Sequence, residues 1–323
     1  MPPSDHDWIA ATARLAARAR PASRPNPGVA ALVVRDGRVI ARGWTQAGGR
    51  PHAEAQALAG LSPEQLAGAT LYVTLEPCAH TSPRGPACAD LIVAARPARV
   101  VVGQRDPDPR TAGKGIARLE AAGIAVTLLD DAASAASLAG FLTRQSLGRP
   151  WVTLKLAMSL DGCIALADGS SQWITGDAAR AHVHAHRARH DAILVGGGTW
   201  RADAPRLDVR LPGLEARSPR RVALTRGNDP AQGVTALPAP EAIADLEGVQ
   251  YLYVEGGAAT AAAFLAADLV DALHLYTAPI LIGDGLRALG PLGLGTLGEA
   301  HGRWQCAERR QLGSDSFAAY LRV

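Results

Sequence analysis

The stretch PHAEAQAL, residues 51–58, sets His52 and Glu54 two positions apart at the start of a helical pattern, directly after a run of glycines. Further along, EPCAHTSPRGPAC (76–88) adds Cys78 and Cys88. One imidazole and two thiolates suit tetrahedral zinc, one ion per chain, and three protein ligands rather than four mark a catalytic site with an open position. Helical residues two apart point roughly 200° away from each other, so His52 and Glu54 do not suit equivalent ligand roles. The expected division of labour has His52 on the metal and Glu54 reaching across the open position to a water. Zinc lowers the pKa of such a water from about 15.7 to about 7, and Glu54 would pass its proton to a departing amine. Both cysteines are expected at helix N-termini, where backbone N–H groups favour thiolate. Blander readings stand beside this one. His-x-Glu is a common spacing, and a cysteine pair flanked by proline and glycine could be a buried loop pair. It could also be part of a structural zinc site, for which His80 is the candidate fourth ligand.

The elements that would hold these residues alternate in type. A helix over about 7–19, with Trp8, Ile9, Thr12, Leu15 and Ala16 on one face, leads through RPNPG to the apolar run VAALVV. DGR then reads as a hairpin turn into VIARGW. Helices are expected over about 52–61 and 87–95, with the strand ATLYVTLE between them. RVVVGQ, the loop DPDPRTAGKG, the helix IARLEAAG and the strand IAVTLL follow. Alternation at this spacing predicts a largely parallel sheet with helices on its faces. A helix over about 132–147 ends in GRP, a stop signal, which places a boundary near Gly148 and divides the chain into domains 1–147 and 148–323. The second half alternates again: VTLKLAMS, a helix from about Asp177, DAILVGGG, RRVALT, QYLYVEGG, a helix from about Thr260, LVDALHLYTAPILIG, and a closing hairpin from Trp304 to Val323. The segments 211–220 and 228–240 read as loop-like connections.

Whole-chain properties narrow the function. At 323 residues, 48% of them hydrophobic, the chain can bury two cores. A net charge of +3 without long blocks of one sign leaves no broad footprint for nucleic acid or an anionic membrane. Four cysteines are too few for a disulfide framework. No apolar run approaches the roughly 20 residues of a membrane helix, and no signal-peptide layout opens the chain. A cytoplasmic protein of a reducing compartment is expected.

The metal constellation resembles the zinc-dependent nucleobase deaminases, with their H-x-E…P-C-x-x-C signature. The wider separation of the two cysteines, in the form P-C-x-H…P-x-C, is similar to the deaminase domain of the bifunctional riboflavin-biosynthesis deaminase/reductase family. PCAHTSPRGPAC matches that form with a loop one residue longer than usual. RPNPGVA resembles the same family's substrate-binding turn. The resemblance implies Asn26 at the pyrimidine edge, with His80 and Arg84 toward the ribose phosphate; on its residues alone, Asn26 could equally be a turn residue before proline.

Beyond the boundary, LKLAMSLDG, SQWITG, GGGTWRADAPRL and VEGGAATAAAFL resemble, in order, the family's reductase domain. The implied fold is α/β: an N-terminal cytidine-deaminase-like three-layer domain plus a C-terminal dihydrofolate-reductase-like domain. VGGGT and VEGGAA follow apolar strands and could bring phosphate to backbone N–H groups, or could simply be tight turns. No G-x-G-x-x-G stands in dinucleotide position, which excludes a Rossmann domain. The resemblance implies an NADPH site with Met158, Trp173, Thr199, Asp203, Arg226, Gly257, Ala258 and Ala259. It implies a substrate side with Lys155, Ser171, Arg187, Leu207, Arg210 and Glu255. Arg187 and Arg210 suit a ribose phosphate, or are surface arginines. Lys155 lies within an apolar strand, where an unpaired ammonium is expensive; with Glu255 it is expected to orient or protonate an opening sugar.

The implied activity is deamination of a diamino-pyrimidinone ribosyl phosphate, followed by NADPH-dependent reduction of the ribosyl group to ribityl, in a homo-oligomer that binds neither nucleic acid nor membrane. Two rivals remain. A nucleic-acid-editing deaminase would need a basic or aromatic strand-binding surface, which +3 net charge and 4% aromatic residues do not offer. A non-catalytic zinc module would hold its metal with four ligands.

Overall fold

The computed structural model describes residues 2–80, 82–227 and 233–323. The chain divides into two compact units, 1–148 and 149–323.

The first unit runs α1 (Asp5–Ala16), β1 (Ala30–Arg35), β2 (Arg38–Trp44), α2 (Ala53–Leu58), α3 (Pro63–Leu66), β3 (Thr70–Leu75), α4 (Cys88–Ala95), β4 (Arg99–Gln104), α5 (Lys114–Ala121), β5 (Ala125–Leu128), α6 (Ala132–Ser137) and α7 (Ala139–Leu147). Ser4 caps α1 through a reciprocal capping box with Asp7. The strands form one sheet in the order β2-β1-β3-β4-β5. Their alternate side chains enter two cores: Ala31, Val33, Leu71, Val73, Val100 and Val102 face α2, α4 and α5, while Leu32, Val34, Tyr72 and Val101 face α1. Three layers result.

The sheet is less parallel than the alternation of elements predicts. β1 pairs antiparallel with both β2 and β3, and only the β3–β4 and β4–β5 pairs are parallel. The cause of the first reversal is local. Asp36 and Gly37, at φ 51° and 69°, make a two-residue turn whose left-handed backbone matches strand twist and folds β2 straight back. The helix expected over 132–147 is two helices that meet at Leu138, where φ −104° and ψ 5° interrupt the helical path.

The second unit contains β6 (Trp151–Ser159), β7 (Cys163–Ala165), α8 (Asp177–Arg187), β8 (Ala192–Gly196), α9 (Gly197–Asp203), β9 (Arg220–Leu224), β10 (Val234–Leu237), β11 (Tyr251–Val254), α10 (Ala258–Ala266), β12 (Ala272–Ala278), β13 (Leu286–Arg287), β14 (Trp304–Leu312) and β15 (Asp315–Arg322). Its main sheet has the order β10-β9-β8-β11-β6-β12-β15-β14, parallel except for the hairpin of β14 and β15 and its junction with β12. One face packs on α10 through Leu154, Leu194, Leu252 and Phe264; the other packs on α8 through Val183, Ile193, Tyr253 and Phe317.

Two local expectations change. The run VGGG is not a turn: Gly196 is the N-cap of α9, and Gly197 and Gly198 are its first residues. Of the loop-like segment 228–240, residues 228–232 lie outside the described residues, while Val234–Leu237 forms the edge strand β10.

Candidate active sites

In the first unit, His52 is the N-cap of α2 and Glu54 lies in that helix's first turn, buried to 3% exposure. Gly43 lets α2 seat this low on β2: a Cβ there would stand 2.2 Å from the Ala53 carbonyl oxygen and 2.6 Å from the Ala57 nitrogen. Gln56, on the same helix, accepts the Trp44 N–H at 2.7 Å and fixes the rotation. The preceding glycines serve a neighbour. A Cβ on Gly49 would be 1.9 Å from Asn26 Nδ2, so only glycine leaves room for that amide beside the cavity.

Cys88 is the first residue of α4, as expected; Cys78 belongs to the segment after β3 and to no helix. Its sulfur nevertheless receives the Cys88 backbone N–H at 3.3 Å, and its carbonyl receives the Ala89 N–H. The thiolate-stabilising dipole of α4 therefore serves both cysteines. His52 Nδ1 lies 3.2 Å from Cys88 Sγ and 3.6 Å from Cys78 Sγ, and the three donor atoms all lie within 4.8 Å of one another. Zinc at its usual bond lengths would hold tetrahedral N and S donors about 3.5–3.8 Å apart. Donor chemistry and spacing thus both fit the ion. Among the described residues His80 is not in this cluster; its Nδ1 meets the Thr111 hydroxyl at 3.4 Å.

Electrostatics separate the two sulfurs. The Cys78 thiol is pulled down to about 4, first by the hydrogen bond with Cys88 and then, against burial, by His52; Cys88 is pushed up by holding the shared proton and by burial. Burial pushes the Glu54 carboxyl up, with the His52 charge opposing it. The site is poised for a cation that would displace those protons.

Glu54, Asn26, His80 and Arg84 line one cavity of about 480 Å³ with His52 and Cys78. Arg84 also donates to the Gly48 carbonyl at 2.6 Å, which ties the cysteine loop to the glycine turn. Glu76, in the motif beside Cys78, has a structural task. Its buried carboxylate accepts four backbone N–H groups, from Asp106, Gly113, Gly115 and Ile116, at 3.0–3.3 Å. This anchors the loop that places Asp106, Asp108 and Arg110 on the cavity wall. Asp106 escaped the sequence reading. Burial, first, and the negative charges of Asp108 and Glu76 raise its carboxyl to about 6, against an N–H bond from Asp108. The acidic DPDP run before GKG was the available signal.

The second unit has a cavity of about 470 Å³. It gathers Lys155, Ser171, Trp173, Arg187, Thr199, Asp203, Arg210, Glu255 and Gly257. Glu255, just past β11, is the hub. Arg187, the last residue of α8, grips it with two N–H···O bonds of 2.6 and 2.8 Å, and Lys155 Nζ on the adjacent strand β6 lies 3.9 Å away. Burial works to raise the Glu255 carboxyl, but Arg187 and Lys155 hold it below the usual range; burial lowers the Lys155 ammonium, with Glu255 opposing.

Five predicted residues lie off this cavity's wall. Met158 points to a separate apolar cavity of about 220 Å³, because side chains alternate along β6 and Lys155 takes the other face. Leu207 is core, packed among Val183, Ile193 and Tyr253. Arg226 is exposed just after β9. Ala258 and Ala259 open α10, directly behind Gly257. The glycine runs divide between two duties. Cβ atoms on Gly196 and Gly256 would fall 2.2 and 2.4 Å from the Thr260 side chain, so packing requires glycine at both; Gly256 also lines the cavity, with Gly198 and Gly257.

A three-donor zinc cradle with an adjoining buried carboxylate, and a separate unit with a cavity of nucleotide-binding size, define a zinc-dependent deaminase joined to a reductase. The comparisons agree. Residues 3–104 match the cytidine and deoxycytidylate deaminase zinc-binding region, and residues 150–317 match the RibD C-terminal domain. The riboflavin biosynthesis protein RibD of Escherichia coli is 36% identical over 96% of this chain and 97% of its own; that of Haemophilus influenzae is 37% identical over 95% and 94%. Among solved structures, Acinetobacter baumannii RibD superposes with a TM-score of 0.85 at 33% identity, covering 99% of both chains. A diaminohydroxyphosphoribosylaminopyrimidine deaminase/5-amino-6-(5-phosphoribosylamino)uracil reductase from Thermotoga maritima also gives 0.85, at 30% identity over 99% and 100%. The chain belongs to the RibD family of bifunctional riboflavin-biosynthesis enzymes, hydrolase and oxidoreductase in one, with zinc and NADPH as cofactors. No helix of the described residues is long and apolar enough to cross a membrane.

Proposed function

We propose that residues 1–147 hydrolyse the 2-amino group from 2,5-diamino-6-ribosylamino-pyrimidinone 5′-phosphate, and that residues 148–323 then transfer a hydride from NADPH to C1 of the ribosyl group. The His52–Cys78–Cys88 triad beside buried Glu54 carries the reading. Zinc held by that triad would supply Lewis acidity, bringing the pKa of water to about 7. Glu54 takes the proton of the attacking water and returns it to the leaving ammonia; its raised pKa suits a group that must both accept and release. Asn26, at the wall of the same cavity, offers an amide to the pyrimidine edge, and His80 and Arg84 face the ribosyl phosphate.

In the second unit, Trp173, Thr199, Asp203 and Gly257 receive the cofactor, with Arg226, Ala258 and Ala259 on its periphery. Ser171 and Arg210, both on the cavity wall, frame the substrate. Glu255, held ionised by Arg187, orients Lys155, and Lys155 hands a proton to the ring oxygen as the sugar opens. The enzyme works in the cytoplasm as a homo-oligomer; the exposed Leu281 and Leu297 of the second unit favour association of like chains.

The test supplies the diamino-pyrimidinone phosphate to zinc-loaded protein. Ammonia should appear without cofactor, and absorbance at about 340 nm should fall only once NADPH is added. NADPH consumption with no prior ammonia release would break the proposed order.

A further inference from the structure

Trp173 is the one tryptophan or phenylalanine that the described residues leave exposed, at 65%, although it stands on the wall of the reductase cavity. A large flat apolar ring left in water is a ready surface for a flat ligand. Its own backbone does little to hold it. Residues 171–174 form a turn that, among the described residues, makes no hydrogen bond to any other element. The segment is fixed at its ends instead. Leu166 donates to the Ser170 carbonyl at 2.9 Å, and the Gly176 N–H donates at 2.7 Å to the buried carboxylate of Asp315. What touches the ring is Arg180, whose guanidinium carbon lies 4.8 Å from the Trp173 ring centroid. Two of its nitrogens donate to the Thr175 carbonyl and to Asp177, so the guanidinium plane is oriented before it meets the indole. Arg180 is the fourth residue of α8 and Arg187 the last, seven positions on and so on the same helix face, and both line the cavity. One helix thereby sets both the indole and the Glu255 hub.

Resting on the functional reading above, we propose that Arg180 is a positioning residue for NADPH: its guanidinium covers one face of the Trp173 indole and presents the other face to a flat ring of the cofactor. The indole's negative face attracts the guanidinium, and a ligand laid on the opposite face expels water around the contact and strengthens it. Arginine and cofactor then sandwich the ring. Arg180 touches no phosphate in this arrangement; its effect reaches the cofactor through Trp173.

The experiment measures NADPH and NADH affinity, through the fluorescence of the dihydronicotinamide, in the full-length, zinc-loaded chain and its variants. Arg180→Gln should weaken NADPH binding roughly ten-fold, and NADH binding by the same factor. Arg180→Lys should lose nearly as much, because an ammonium lacks the plane that stacks. Once Trp173→Ala has removed the ring, adding Arg180→Gln should change affinity less than about two-fold. In turnover, Arg180→Gln should raise KM for NADPH while kcat at saturating cofactor falls less than about two-fold. A loss confined to NADPH would mean direct contact with its extra phosphate, and full additivity with Trp173→Ala would mean that the two side chains act apart; either result overturns the inference. So does parent-like affinity in Arg180→Lys. Should the parent protein neither bind NADPH nor oxidise it with the deaminated ribosyl phosphate, the functional reading falls instead.

Discussion

The two units both bury a charged constellation, and they neutralise it differently. In the first, two thiols, the His52 imidazole and Glu54 crowd together, a donor set that suits a metal ion. In the second, Arg187 and Lys155 both converge on the one carboxylate of Glu255. One cluster is thus built to receive an ion, and the other pairs its charges within the chain. Buried ion pairs gain little net stability but punish the loss of a partner. A cluster of metal donors is costly until the ion arrives. The contrast teaches that the halves should fail separately, and each of the following perturbations tests that independence.

The largest effect is expected from Glu54→Gln. Ammonia release should fall by roughly 10²–10⁴-fold while NADPH oxidation of the deaminated substrate stays at the parent rate; parallel loss would mean that the two sites are not separable. Lys155→Met should do the reverse, lowering NADPH oxidation about 10²-fold with ammonia release untouched. An equal fall of both activities would remove Lys155 from the reaction.

Packing comes next. Gly43→Ala drives a methyl into the α2 backbone and should cost about 1–3 kcal/mol, with loss confined to deamination because His52 and Glu54 ride on that helix. Gly196→Ala should cost a similar amount, about 1–3 kcal/mol, and spare deamination. Adding Thr260→Ala should recover much of that stability, since the obstructing hydroxyl is then gone. A double variant no more stable than Gly196→Ala would discard Thr260 as the obstacle.

The last effect is graded with pH and is small within the first pH unit below neutrality. Burial, then His182, pulls His274 down to about 3, and burial with His274, His190 and His182 pulls His186 lower still. The folded unit keeps both rings neutral while the unfolded chain protonates them near pH 6.5. Their contribution is thus intact above pH 6.5 and drains as pH falls, by about 1.4 kcal/mol per pH unit for each ring. Denaturant melts from about pH 7 to 5 should show the second unit weakening first, less so in His274→Leu. Uniform acid weakening of both units would contradict the assignment.

The metal site was readable because zinc chemistry uses few residue types and the ligands fall within two short segments. Asp106 was not, since an aspartate before proline reads as a turn until burial is known. Periodicity reveals that a strand exists but not its direction, which is how the antiparallel β1–β3 pair escaped. A glycine run reads as a turn, and what requires glycine at the α9 N-cap, Gly196, is Thr260, some sixty residues away in sequence. Residues assigned by family resemblance alone, such as Met158 and Leu207, carry no signal of which face their side chains take; strand alternation and core packing turned both from the cavity.

Thr260 pins the tips of two neighbouring parallel strands, β8 and β11, with one side chain. The floor of the reductase cavity is in effect riveted. Whatever rearrangement accompanies cofactor entry must carry both tips together, or be left to the loops above them.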